Sequence, residues 1–184
     1  MASYPYSLLP PDGDNIRLLR LLPNEDEAAP LLCELRNYSL RISSPRTHLY
    51  EALSYVWGNP KETLSIYVDK YRFQVTVNLH AALSRLRDRS FERTIWIDAI
   101  CIDQSNMDER KQQVQIMAKI YSNAHRVIVW LGERGVETRV ALEAIQLAAN
   151  EELSEHSKQD IKQQAILNLL QNPWFRRIWV GKKC

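Results

Sequence analysis

The chain has 184 residues, a formal net charge of +2, and three cysteines (Cys33, Cys101 and Cys184) with no CxxC pair. Such a length buries roughly 70% of the unfolded surface, so one domain with small additions folds without metal or disulfide. The balanced charge argues against a dedicated nucleic-acid binder, and the odd cysteine count points to a reducing compartment. No apolar run approaches the ~20 residues of a membrane span. The opening MASYPYSLLPPDGD lacks the basic and apolar regions of a signal peptide, so the sequence reads as cytoplasmic.

Residues 1–15, with their Pro and Gly, are expected to be irregular. Ile16 to Leu22 (IRLLRLL) predicts a short strand stopped by Pro23-Asn24. Leu31 to Leu40 predicts a second strand, and the two together suit an antiparallel flap or hairpin, with a loop at Ser43 to His48. Cys33 falls in this apolar run and is expected in the core, as is Cys101 further on.

Tyr50 to Trp57 (YEALSYVW) predicts a third strand ending at Gly58-Asn59-Pro60. Leu64 to Val77 reads as a hairpin about Asp69-Lys70, although Asp-Gly is the favoured pair for such a turn. Asn78 is expected to cap a helix whose Leu79, Ala82, Leu83 and Leu86 form one apolar stripe.

Thr94 to Gly132 reads as strand, helix, strand. Ile95 to Ile102 is almost continuously apolar, as in a central strand covered on both faces. Ser105 or Asn106 can cap the following helix, with Asp108 and Glu109 in a first turn that favours negative charge. Val114, Met117, Ala118 and Tyr121 predict its buried face. Arg126 to Leu131 is the closing strand, and the unit as a whole implies parallel pairing with a crossover. Beyond Gly132, Glu137 to Asn150 and Ser157 to Gln171 read as amphipathic helices, with Asn172-Pro173 ending the second. The predicted class is α/β, a mainly parallel sheet with helices on its faces and an N-terminal β flap.

In open α/β sheets ligands sit outside the carboxyl ends of the strands. Three strand ends carry suggestive groups: Ser54, Tyr55, Trp57 and Gly58; Asp98, Asp103 and Gln104; Trp130, Gly132 and Glu133. Converging carboxylates, amides and rings suit a ribose and a base. The alternative for Trp57 and Trp130 is core packing, which is the commoner use of such residues. For Asp98 the alternative is a structural hydrogen bond, since a buried carboxylate needs a partner. For Glu109 it is first-turn charge, and Asp103-Gln104 can simply form a turn. Asp98, Asp103 and Glu109 lack a calcium-loop pattern, the four histidines lack zinc-ligand spacing, and no metal is predicted. There is no GxSxG elbow, P-loop or dinucleotide fingerprint. Arg176, Arg177, Lys182 and Lys183 form a basic end, read as a solvated tail.

Several blocks carry a resemblance. YEALSYVWG (Tyr50 to Gly58), WIDAICIDQ (Trp96 to Gln104), ERKQQVQIMAKIYSNA (Glu109 to Ala124), VIVWLG (Val127 to Gly132) and WFRRIW (Trp174 to Trp179) resemble, in order, the fungal heterokaryon incompatibility (HET) domain. The resemblance covers the chain from about Ile16, so residues 16–184 are expected to be that domain. It implies a role in non-self recognition and programmed cell death. It also implies a distant likeness to TIR domains, with their flavodoxin-like sheet.

Some TIR domains cleave NAD with a glutamate that follows a Trp-containing motif, and a carboxylate there can stabilise an oxocarbenium-like ribose. NAD is accordingly a possible substrate. The family motif continues with two apolar residues and Gln-Glu. Here Lys183 falls where the glutamate is expected, and the domain reads as truncated at its C-terminal end. A lysine cannot supply the carboxylate.

Two functions therefore compete. One is a signalling module acting by self-association or partner binding. The other is a NAD glycohydrolase using Asp98 or Glu109, with Ser54, Trp57, Gly58, Asp103, Gln104 and Trp130 holding the nucleotide. A degenerate fragment without function is the third and dullest possibility.

Overall fold

The structure is a computed structural model and describes residues 4–10, 13–41, 49–133, 143, 146, 167 and 169–176. The chain divides into two units, Met1–Trp130 and Leu131–Cys184. The predicted helices at 137–150 and 157–171 lie almost wholly outside the described residues, as do Trp179, Lys183 and Cys184.

The first unit is built on strands β1 (Asn15–Leu21), β2 (Leu32–Ser39), β3 (Glu51–Tyr55), β4 (Thr63–Val68), β5 (Tyr71–Thr76), β6 (Arg93–Trp96) and β7 (Arg126–Trp130). Three helices join them: α1 (Val77–Leu86), α2 (Asp98–Cys101) and α3 (Met107–Asn123). The seven strands form one sheet in the order β5-β4-β2-β1-β6-β3-β7. The class is α/β, as predicted. The sheet is mixed: β3 pairs in parallel with β6 and β7, and β2 with β4, whereas β1–β2, β1–β6 and β4–β5 are antiparallel.

The predicted N-terminal hairpin forms, but at the centre of the sheet. β1 lies between β2 and β6, and its Ile16, Leu18, Leu19 and Leu21 are all buried, so both faces are covered. The β4–β5 hairpin closes as expected on Asp69 and Lys70. Both have positive φ, +46° and +74°, the backbone of the turn that matches strand twist.

α1 packs Leu79, Ala82 and Leu83 inward. Its cap is Thr76, whose side chain accepts from Leu79 N; the expected cap, Asn78, lies inside the helix with its side chain engaged elsewhere. Of the two caps considered for α3, Asn106 is the one used, accepting from Glu109 N at 3.1 Å.

Two further expectations are corrected. Ile95 to Ile102 is not one strand. β6 ends at Trp96, and the chain turns into α2, where Asp98 accepts from Ala99 N at 2.8 Å. The continuous apolar run arises because both β6 and the short helix are buried, which leaves no polar break to mark the turn. The buried face of α3 is also displaced. Glu109, Gln113 and Ile120 are buried, whereas Val114 is exposed. Two of those three residues are polar and are paired across the fold, Glu109 with Arg17 and Gln113 with Asn15 O, which hydropathy does not register.

The core gathers residues from every strand but β7, together with α1, α2 and Ile120 of α3. Tyr4, Tyr6, Tyr38, Phe73, Tyr121 and Trp130 pack at its margin. Cys33 and Cys101 are both buried free thiols, as expected. In the second unit, Leu169 is buried, Asn172 Nδ2 donates to Leu131 O at 2.8 Å, and Pro173–Arg176 form a 3-10 turn. Among the described residues, no helix is long and apolar enough to cross a membrane.

Candidate functional site

The carboxyl ends of β3 and β6 lie side by side because these strands pair in parallel, with β7 on the other flank of β3. β3 delivers Ser54 and Tyr55, both buried, and then Trp57 and Gly58. β6 delivers Asp98 at the first position of α2. The two strand ends are neighbours, and Asp98, expected inside a strand, stands instead on the first turn of a helix.

Trp57 and Asp98 meet. The indole Nε1 donates to Asp98 Oδ2 at 3.0 Å. Trp57 keeps 40% of its surface exposed while Asp98 keeps 8%. The ring thus stands at the surface, and the carboxylate beneath it is engaged. Gln104 folds back so that its Nε2 donates to Asp98 O at 2.8 Å. Asp103 turns away into a local turn, accepting from Ser105 N at 3.0 Å and Ser105 Oγ at 2.6 Å.

Trp130 joins this rim through a residue that sequence reasoning assigned to capping. Its Nε1 donates to Asn78 Oδ1 at 2.9 Å, and Asn78 Nδ2 donates to Val56 O. Asn78 therefore ties the end of β7 to the end of β3 from the first turn of α1. Gly58, at φ +81°, sits directly over it, and a Cβ there would lie 3.3 Å from Asn78 Cβ. The signal for Asn78 was its neighbour: Thr76, two residues earlier, can cap the same helix and frees the amide for other use.

Glu109 is not brought to Asp98 and Trp57. It forms a buried, two-point ion pair with Arg17 of β1, with Oε1 2.5 Å from Nη1 and Oε2 2.9 Å from Nη2. Its Oε1 also accepts from Asp103 N at 2.8 Å. Arg17 further donates to Cys101 O and Ser7 O, and the Tyr6 ring lies 4.9 Å from its guanidinium carbon. Paired and multiply hydrogen-bonded charge of this kind is how a charged residue is accommodated in a core. Sequence reasoning missed Arg17. The available signal was a charge at a strand position whose alternate neighbours, Leu19 and Leu21, face inward.

Burial sets the local acidity. The Cys101 thiol, enclosed under α2, is pushed up to about 12 by burial. The Tyr6 hydroxyl is raised well above its ordinary value by the same cause. Among the described residues, no cluster of His, Cys, Asp and Glu could hold a metal ion. The arrangement offers an exposed ring, a backbone bend at glycine and one amide side chain, Gln104, beside an engaged carboxylate. It can stack a planar group and hydrogen-bond polar edges.

The family described as Heterokaryon incompatibility protein (HET) matches residues 50–182. The chain is also similar to Heterokaryon incompatibility protein 6, OR allele, of Neurospora crassa, at 33% identity over 174 residues. That match takes in 86% of this chain and 25% of the relative, so this chain spans about a quarter of that protein's length. No solved structure matches the chain.

Proposed function

This chain belongs to the heterokaryon incompatibility family, and from that premise we propose that it is a signalling module of fungal non-self recognition. It acts in the cytoplasm by self-association or by binding a protein partner, and its engagement leads to programmed cell death. The relative is named a heterokaryon incompatibility protein; the extension to this chain is our reading.

The observation that carries a binding role, and not a catalytic one, is the commitment of both candidate acids. Glu109 is held at two points by Arg17, and Asp98 accepts from the Trp57 indole and from Ala99 N. A general acid, base or charge-stabilising carboxylate has to face the reacting group. Both of these acids face the protein. Sedimentation of the purified chain across micromolar concentrations, alongside growth of a fungal host expressing it, tests the reading. Concentration-dependent association together with growth arrest is expected. A monomer at every concentration in a host that grows normally would overturn it.

One observation favours a second reading, a TIR-like NAD glycohydrolase. Trp57, Asp98, Gln104 and Asn78 converge at the carboxyl ends of parallel strands, the usual place for a nucleotide in α/β folds. On that reading Trp57 stacks a base. Gly58 allows close approach of the backbone. Ser54, Asp103, Gln104 and Trp130 complete the nucleotide site, and Asp98 must exchange its indole partner for a ribose hydroxyl.

A further inference from the structure

Residues 4–10 have no regular secondary structure, yet side chains tie them firmly to the sheet. Tyr4 Oη donates to Asp69 Oδ2 at 2.6 Å, at the β4–β5 turn. Tyr6 Oη donates to Ile100 O at 2.9 Å, inside α2. Arg17 Nη2 donates to Ser7 O at 2.5 Å. The Tyr4 ring packs edge-on against Tyr6, Tyr71 and Phe73. The other side of the segment faces water, and Leu8 is 83% exposed. Pro10 and Gly13, the latter at φ +76°, bracket its connection to β1.

Tyr6 and Arg17 both reach α2. It has four residues and no side-chain cap. A helix so short leaves most of its terminal carbonyls without partners of its own. Here Ile100 O is taken by Tyr6 and Cys101 O by Arg17, at 2.9 and 3.2 Å. Both bonds belong to one assembly, because Tyr6 lies over the Arg17 guanidinium. The first residue of α2 is Asp98, which holds the Trp57 indole, and Gln104 closes back onto Asp98 O. A continuous set of contacts thus runs from the N-terminal segment through α2 to the rim.

We propose that residues 4–10 are a latch. Docked, the Tyr4-to-Ser7 segment fixes α2 and so the Asp98–Trp57 pair at the rim; undocked, it frees the 98–104 segment. The inference does not rest on nucleotide binding, because its readout is local opening of the backbone.

Hydrogen exchange measured by mass spectrometry tests it on the full chain, on Tyr6→Phe and on a variant lacking residues 1–10. Tyr6→Phe keeps the ring over Arg17 and removes one hydrogen bond. It should speed exchange across 98–104 by about tenfold, and the deletion by more. Exchange across 51–55 should change by less than about twofold in Tyr6→Phe. A synthetic peptide of residues 1–10 added to the deletion variant should restore protection of 98–104. Unchanged exchange at 98–104 in Tyr6→Phe would overturn the proposal, as would equal acceleration at 51–55 and 98–104. If the deletion variant does not fold, Tyr6→Phe alone decides.

Discussion

Arg17 and Glu109 stand 92 residues apart in sequence and meet as a two-point ion pair, with side-chain exposures of 1% and 8%. Removing one member leaves the other charged in a core, and such losses cost about 3–5 kcal/mol. Arg17→Met or Glu109→Leu should lower stability to urea by that amount. The double variant should recover only part of it, because Asp103 N also donates to Glu109. Equilibrium denaturation of the three variants provides the cycle.

Asn78 bridges two strand ends, so Asn78→Ala removes the acceptor for Trp130 Nε1 and the donor to Val56 O together. A loss of about 1–3 kcal/mol is expected, with a change in tryptophan fluorescence as Trp130 is released. Its cap-forming neighbour Thr76 should behave differently. Thr76→Ala should cost about 1 kcal/mol and leave the fluorescence unchanged.

Gly58→Ala forces a side chain into φ +81° and against Asn78 Cβ at 3.3 Å. It should destabilise the chain by about 1–2 kcal/mol. The opposite sign is expected at the β4–β5 turn. Lys70 already holds φ +74°, so Lys70→Gly relieves strain and should stabilise by about 0.5–1 kcal/mol. Asp69 should not be changed with it, because its carboxylate accepts from Tyr4 and from Leu35 N. Thermal melts of the two glycine variants check both signs.

Burial holds the Cys33 and Cys101 thiols up at about 12, against an ordinary value of 9.0. The unfolded chain therefore loses these protons first as pH rises. The stability that depends on the neutral thiols is complete below pH 9 and is lost between there and about 12. Each thiol adds a slope of roughly 1.4 kcal/mol per pH unit in that window. Urea midpoints at pH 8, 9.5 and 10.5 should fall progressively. In the folded state neither thiol should react with a thiol reagent at pH 8.

Much of the fold was legible in the sequence because apolar periodicity reports burial. β1 to β5, α1 and β7 stand within a few residues of where their patterns place them. The Asp69-Lys70 turn was legible from its length even without glycine. What stayed hidden was set by tertiary partners. The turn from β6 into α2 has no polar mark because both are buried. Glu109 and Gln113 face inward because Arg17 and the Asn15 carbonyl meet them, and nothing local to α3 announces that. The rim was legible as a set of strand ends. The link from Trp57 to Asp98 was not, because it depends on how α2 turns, and that in turn depends on Tyr6 and Arg17 far away in the chain.

On the proposed reading Asp98 and Glu109 serve the protein's own structure and the chain signals by binding. Release of nicotinamide from NAD by the purified chain at high concentration, beside Asp98→Asn, tests it most directly. Neither protein should release nicotinamide above buffer, and both should melt cooperatively. Release by the wild type that is lost in Asp98→Asn would contradict that reading and establish the rim as an active site.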